Sequence, residues 1–278
     1  MLQATLEVFW AMVWKNLLVV FRYPINLLAR FLTLFFIILV MMFATLMFVP
    51  GSVAEGFEGE GGSGIGGLVM YGFVLFLFVS DALWTVGYNI RWEQYEGTLE
   101  ALYLTPASRF LYLVSRLAEP VIWTTLSAAA SLLFVRLILG PLPMENKGLA
   151  LYTLLFTLAG IFGFGFCFAA FTLLVKESAQ SVANLLQFVL LTICAMFFPF
   201  SALPQPVRAV SRFVPLSYGV DLFRSALMGF PPGFPELASV RVEVAIVTVS
   251  GLLLPAAGYA LYKWAEHQVR VNGTLAEF

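Results

Sequence analysis

Long apolar runs alternate with short polar segments along this chain. Six of the runs are long enough for a helix to cross the hydrocarbon core of a bilayer, which takes about 20 apolar residues. Phe31 to Val49, for example, holds no charged residue. The pattern predicts an all-α integral membrane protein, with six transmembrane helices in a single domain over residues 1–278. Their approximate bounds are 29–49, 66–90, 109–139, 148–175, 179–199 and 242–262.

The first 24 residues have a different pattern, in which a polar stripe runs along an otherwise apolar helix. At about 100° per residue the stripe holds Gln3, Glu7, Lys15 and Arg22. Such a helix lies in the membrane interface, a depth that suits Trp10 and Trp14. The pattern predicts an N-terminal interfacial amphipathic helix over residues 1–24, with a soluble helix packed on a partner protein as the alternative.

The segment 200–234 is apolar but is broken repeatedly by proline. Two short helices fit it, Gln205 to Phe213 and Ser217 to Met228, with Ser217 as the N-cap of the second. Neither helix is long enough to span a bilayer, and irregular backbone at membrane depth must be buried in protein or line water. We therefore predict an external re-entrant helical hairpin before the last span.

Charge is concentrated between the second and third runs, in the sequence RWEQYEGTLEALYLTPASR. Gly97 can end a helix in the left-handed conformation that other residues avoid, and Thr98 can cap the next helix. Thr105 and Pro106 then suit the cap and first turn of the third span. A short helix is predicted over residues 98–105, with an ordinary cytoplasmic loop as the alternative. Its apolar face holds Leu99, Leu102 and Tyr103.

Composition agrees with a membrane protein, since 61% of the residues are hydrophobic and only 11% are charged. Soluble domains are about half apolar and about a quarter charged. The net charge of −1 shows no polybasic character, so we expect no nucleic-acid partner. Basic residues are more frequent on the side that holds both chain ends, which predicts cytoplasmic termini for a multi-pass protein of the cell membrane.

The chain has no sequence motif for chemistry of its own. It contains no GxxxxGK phosphate-binding loop, no HExxH zinc motif and no GxSxG nucleophile motif. Residues 59–64 match GxGxxG, but no strand precedes them, so a flexible external loop is the better interpretation. Cys167 and Cys194 lie inside apolar runs without a metal-ligand spacing. We therefore predict no catalytic residue, no metal site and no cofactor in this chain.

Two features inside the apolar runs, an acid and a group of glycines, are candidates for function. A charged side chain at the bilayer centre costs about 3 kcal/mol on insertion scales, so Asp81 in the second run should face protein or water. It either makes a structural bond to a neighbouring helix or takes part in transport. Gly160, Gly163 and Gly165 in the fourth run permit close helix packing, or else form a flexible segment beside a pathway.

Two stretches resemble the permeases of the ABC-2 type transporter family. The loop between the second and third spans of those permeases is similar to the pattern Glu93-x-x-x-Gly97-Thr98-Leu99-Glu100-x-Leu102-x-x-Thr105-Pro106. The segment before their last span resembles Pro215-Leu216-Ser217-Tyr218-x-x-Asp221-x-x-Arg224. In that family the first stretch forms the coupling helix, which docks on the ATP-binding subunit.

The resemblance implies a set of residues for each stretch. Those expected to contact the ATPase subunit are Glu93, Glu96, Gly97, Thr98, Leu99, Glu100, Leu102, Tyr103, Thr105 and Pro106. Those of the external hairpin are Pro215, Tyr218, Asp221 and Arg224. Asp221 and Arg224 lie three residues apart in a predicted helix, a spacing at which a local ion pair can form.

The resemblance also implies a function, that of the transmembrane permease subunit of an ABC exporter in a prokaryotic cytoplasmic membrane. The chain would not be an enzyme itself, because ATP and Mg²⁺ would bind on a separate ATPase chain. Expected partners are two copies of that ABC ATP-binding subunit, a second permease copy or a paralogue, and membrane lipid. The expected cargo, moved outward, is amphipathic, lipidic, drug-like or a glycan. A non-ATP-driven channel or secondary carrier is the alternative, and copurification of an ATPase subunit would distinguish the two.

Overall fold

The fold is described from a computed structural model of the chain. The structure describes residues 65–88, Gly97, 109–139, 142–175 and 178–271, together with isolated helical positions between 7 and 40. The predicted coupling helix at 98–105 lies outside these residues. So do most of the predicted interfacial helix at 1–24 and most of the predicted first span at 29–49.

Every regular element in the described residues is helical, which confirms the all-α prediction for this part of the chain. The first helix, α1, covers Ile65–Asp81 and continues as a π-helix over Ala82–Tyr88. The two long helices that follow are α2 (Arg109–Leu139) and α3 (Lys147–Leu174). The remaining elements are α4 (Ala179–Ile193), a 3-10 turn (Phe200–Ala202), α5 (Gln205–Ser211), α6 (Pro215–Leu227) and α7 (Val240–Val271).

Within the described residues, four helices are long and apolar enough to cross a membrane: Gly67–Val86, Leu111–Leu137, Lys147–Leu174 and Val240–Val271. Helix α4 is apolar but shorter, about 22 Å at 1.5 Å per residue. Helix α4 ends at Ile193, although the apolar run continues to Pro199. Two features account for the early end: Ala195 has a positive φ of 47°, and Phe198, which precedes Pro199, avoids the helical conformation. The count of six spans stays a prediction.

Helix α6 lies at the centre of the described structure. Every side chain from Ser217 to Leu227 is buried, and the helix packs against α1, α3 and α7. The ring of Tyr71 on α1, itself fully buried, meets the ring of Phe223 edge-on at 6.3 Å. Because no face of α6 is solvated, its charged residues must find their partners inside the protein.

The ends of α6 differ from the predicted pattern at one point. The helix begins at Pro215, with Val214 as N-cap, so Ser217 lies within the first turn and was wrongly predicted as the cap. Proline suits the first helical position because its missing N–H is not needed there. At the other end, the backbone N–H of Asn146 donates to the carbonyl of Ala226 at 3.0 Å, so the turn before α3 satisfies the end of α6.

Helices α3 and α7 approach each other at backbone distance. A Cβ on Gly163 would lie 2.4 Å from the nitrogen of Pro255, and one on Gly258 would lie 2.3 Å from the carbonyl oxygen of Gly163. Helix α7 continues through Pro255 as one helix. The geometry favours close helix packing as the role of Gly163, rather than local flexibility.

Candidate functional site

Two oppositely charged side chains are fully buried in α6. Arg224 is the largest side chain in the described residues that is fully buried, and Asp221 lies one turn before it. The Nη2 atom of Arg224 is 3.9 Å from Oδ1 of Asp221. Further hydrogen bonds to each group offset part of the cost of burying such a pair. Nη1 of Arg224 and Oδ2 of Asp221 make such bonds, whereas Oδ1 of Asp221 and Nε and Nη2 of Arg224 have no hydrogen-bond partner among the described residues.

Arg224 binds the backbone beyond the end of α4. Its Nη1 atom donates to the carbonyl oxygens of Ala195 at 2.8 Å and of Phe198 at 3.1 Å. The guanidinium also lies 5.4 Å from the centroid of the Phe200 ring, within the range of a cation–π interaction. Arg224 therefore satisfies carbonyls that have no helical partner, and it joins α6 to the segment between α4 and α5.

Asp221 binds the loop on the other side, before α7. Its Oδ2 atom accepts from the backbone N–H groups of Glu236 at 2.7 Å and Leu237 at 2.8 Å. In the same loop the N–H of Ala238 donates to Oε1 of Glu243 at 3.0 Å, and Glu243, in the first turn of α7, is fully buried. Two carboxylates thus hold three consecutive backbone donors.

Glu236 completes the connection between the two segments. Its carboxylate accepts from the backbone N–H groups of Phe200 at 2.9 Å and Ser201 at 2.6 Å. The carbonyl of Phe200 in turn accepts from Nε of Arg208 at 2.9 Å. We use the name polar centre for the four ionisable residues that join these elements: Asp221, Arg224, Glu236 and Glu243.

Burial and charge act in opposite directions on the α6 pair. Burial raises the pKa of the Asp221 carboxyl, and the Arg224 charge and the N–H donors of Leu237 and Glu236 oppose that shift. Burial lowers the pKa of the Arg224 guanidinium, and the nearby carboxylates of Asp221, Glu236 and Glu243 oppose it. A guanidinium has so high an intrinsic pKa that Arg224 keeps its charge. The polar centre is therefore an internal electrostatic tie, with no face open to solvent at Asp221, Arg224 or Glu243.

The other predicted residues make contacts of their own. Asp81, the last residue of α1, accepts a hydrogen bond from the Thr124 hydroxyl on α2. Pro215 starts α6, and the Tyr218 hydroxyl donates to the Arg212 carbonyl at 2.9 Å. In the predicted coupling stretch only Gly97 is described, as an exposed turn residue with a φ of +68°.

A comparison with protein families identifies the architecture. The family model for the ABC-2 type transporter membrane domain matches residues 7–228, which is most of the chain. The chain belongs to the ABC-2 type transporter family. This ABC-2 permease matches no curated protein. Members of the family are membrane transport components that normally work with an ABC ATP-binding subunit.

The family match covers both stretches that carried the resemblance, 93–106 and 215–224. It ends within the hairpin segment, after α6, so α7 and the loop before it lie beyond the matched residues. Two members of the polar centre of this ABC-2 permease, Glu236 and Glu243, lie there and were missed from the sequence. An acid at the very start of the last apolar run was the available signal for Glu243.

Proposed function

We propose that this chain is the transmembrane permease subunit of an ATP-driven exporter. The observation that carries the proposal is the family match over residues 7–228, together with a sequence that has no phosphate-binding loop of its own. ATP and Mg²⁺ bind on two copies of a separate ABC subunit. Two permeases, either identical or paralogous, form the pathway. The cargo is amphipathic, lipidic, drug-like or a glycan, and it moves outward across the cytoplasmic membrane.

The stretch between α1 and α2 is the proposed contact with the ATPase subunit. An interface core uses apolar anchors surrounded by a polar rim. In the helix at 98–105 the anchors are Leu99, Leu102 and Tyr103, and the rim is Glu93, Glu96 and Glu100. Gly97 supports this geometry, because its φ of +68° provides the left-handed turn that lets a short helix start at Thr98.

Contacts of α1 provide a route from that stretch to the external hairpin. Asp81 and Thr124 join α1 to α2, the two helices that flank the stretch. At its other end α1 approaches the turn after α4 so closely that a Cβ on Gly72 would overlap the Met196 carbonyl oxygen. The Tyr71–Phe223 ring contact joins the same end of α1 to α6. These contacts connect α1 to α6, the helix that carries Asp221 and Arg224, and they are the route by which we propose that a displacement of α1 reaches the hairpin.

The test of this proposal uses Leu102→Arg and a matched control, Ala101→Arg, which adds the same charge on the opposite face of the short helix. Leu102→Arg should abolish capture of the ATPase subunit and ATP-dependent transport on the same membranes, because a charge then occupies an anchor position. Ala101→Arg should retain both.

Membrane insertion of the two variants, followed by protease protection, shows whether either has simply failed to fold. Normal subunit capture and transport in Leu102→Arg would remove the basis for the coupling element. Transport that needs no ATPase subunit at all would favour a channel or secondary carrier.

A further inference from the structure

An apolar cavity of about 190 Å³ lies between α1, α3, the start of α6 and α7. Its walls include Val79, Phe156, Ile161, Leu216, Val247 and Leu254. A cavity of about 150 Å³ with a comparable aliphatic and aromatic lining stays dry and takes up a small hydrocarbon. Water is therefore a poor occupant of this larger cavity, and a hydrocarbon chain is a good one.

The side chains around the cavity indicate where such a chain comes from. Phe213, which lines the cavity, is 86% exposed and so marks its mouth. On α7 the lining residue Val247 is followed by outward-facing apolar residues, among them Val249 and Leu252. In the most apolar part of α7 only 17% of the residues are buried, so this helix lies at the periphery of the described structure. The mouth thus lies beside a helix face suited to lipid hydrocarbon.

A cationic side chain next to the mouth residue suits the other end of a lipid, and a hydroxyl group lines the cavity itself. Arg212, next to Phe213 in the chain, is exposed and forms no ion pair with any described residue. Its guanidinium suits a phosphate group. Thr157 lines the cavity, and its buried hydroxyl has no hydrogen-bond partner in the described part of the protein, so it can donate to a ligand oxygen.

We propose that this cavity binds a segment of one acyl chain of a membrane phospholipid, with the lipid phosphate near Arg212, which precedes the mouth residue Phe213. The walls come from helices of a single copy, so the site does not depend on a second permease. Lipid binding at this site requires only that the chain folds in a membrane, not that it exports a cargo with ATP. The two proposals can therefore fail independently.

The test compares two variants of α7 that add the same ring. Val247→Phe fills the cavity from a position that is 2% exposed, whereas Val249→Phe adds its ring at a position that is 54% exposed. The full-length chain is purified, stripped of lipid and titrated with palmitoyl-oleoyl phosphatidylglycerol, and bound lipid is counted by native mass spectrometry. Wild type and Val249→Phe should bind one lipid tightly, and Val247→Phe should bind it about tenfold more weakly or worse.

A second cavity variant distinguishes loss of the lipid site from misfolding of Val247→Phe. A Cβ on Gly160 would lie at an ordinary 3.6 Å from Leu254, so Gly160→Ala adds one carbon to the cavity wall without a backbone clash and should also weaken lipid binding. Undiminished lipid binding in both Val247→Phe and Gly160→Ala would overturn the proposal. A cavity variant that still binds lipid but no longer cross-links to a second permease would also overturn the proposal. In that case the cavity would be where a second copy of the chain docks.

The phosphate contact has its own measurement. Arg212→Gln should weaken binding of phosphatidylglycerol several-fold and leave binding of dioleoylglycerol, which lacks the phosphate, unchanged. Equal weakening of both lipids, or of neither, would overturn the assignment of Arg212 to the headgroup.

Discussion

At the scale of single residues, Arg224 shows a charged side chain used to organise backbone. Its guanidinium binds two carbonyls beyond α4, while its partner Asp221 binds two N–H groups before α7. Neither residue contacts solvent. When one member of such a pair is removed, the remaining charge stays buried without its partner, which is strongly destabilising.

Arg224→Met should therefore lower the free energy of unfolding by about 3–5 kcal/mol, measured by chemical denaturation in detergent. The double variant Asp221→Asn with Arg224→Met should recover part of this loss, because the Asn oxygen still accepts from the loop and the Asp221 charge is no longer buried without its partner. Arg241→Met, at an exposed position, serves as the control and should change stability by less than about 0.5 kcal/mol. A stable Arg224→Met protein would show that the polar centre does not support the fold.

Asp81 is another acidic residue whose contribution to the free energy of unfolding can be measured, and we expect a smaller contribution than that of Arg224. Its observed bond from Thr124 survives in Asp81→Asn, since the amide oxygen still accepts, so this variant should fold and transport normally. Asp81→Leu should lose about 1–3 kcal/mol, because the Thr124 hydroxyl then loses that acceptor. The measurements are thermal unfolding and transport on the same preparation. An Asp81→Asn protein that folds but does not transport would show that the charge itself is needed.

At the scale of elements, the contact between α3 and α7 depends on the absence of side chains. Gly163 faces the backbone at Pro255, and the separation leaves no room for even one carbon atom. Small residues allow this approach between membrane helices, where dispersion contacts between close backbones provide much of the association energy.

Gly163→Ala should thus destabilise the protein by about 1–3 kcal/mol, because α7 must move away from α3. Gly148→Ala, on the same helix, is a control that should change the stability of the protein in the opposite direction. Apart from its chain neighbours and the backbone of its own helix, no atom lies within 4 Å of its added carbon, and alanine favours the helical backbone over glycine. The comparison is made by thermal unfolding in one detergent. Equal stability of the two variants would mean that the close approach of α7 at Gly163 does not contribute to the stability of the protein.

At the scale of the whole molecule, the sequence predicts what depends on local pattern. The apolar runs predicted the all-α class, and the resemblance of residues 93–106 and 215–224 predicted the family. The polar centre was only half visible, as an Asp221–Arg224 spacing. Glu236 and Glu243 lie on a separate loop and helix, and no periodicity within α6 shows which distant backbone groups its charges will bind.

The predicted topology is tested by labelling. In a background of Cys167→Ala and Cys194→Ala, an impermeant maleimide added to intact cells should modify Glu58→Cys and spare Glu96→Cys. The reason is that the first position belongs to the predicted external loop and the second to the predicted cytoplasmic coupling stretch. Permeabilised cells provide the control, in which both positions should react. Labelling of Glu96→Cys in sealed cells would reverse the predicted orientation.

The polar centre also imposes an order on biosynthesis. The carbonyl partners of Arg224 precede α6 in the chain, whereas the N–H partners of Asp221 follow it. A nascent chain that has emerged only as far as α6 can therefore satisfy the arginine but not the aspartate. The loop that holds Glu236 and Leu237 must be synthesised and folded onto α6 before the Asp221 carboxylate has its backbone donors, so the segment that follows the hairpin completes the hairpin's folding.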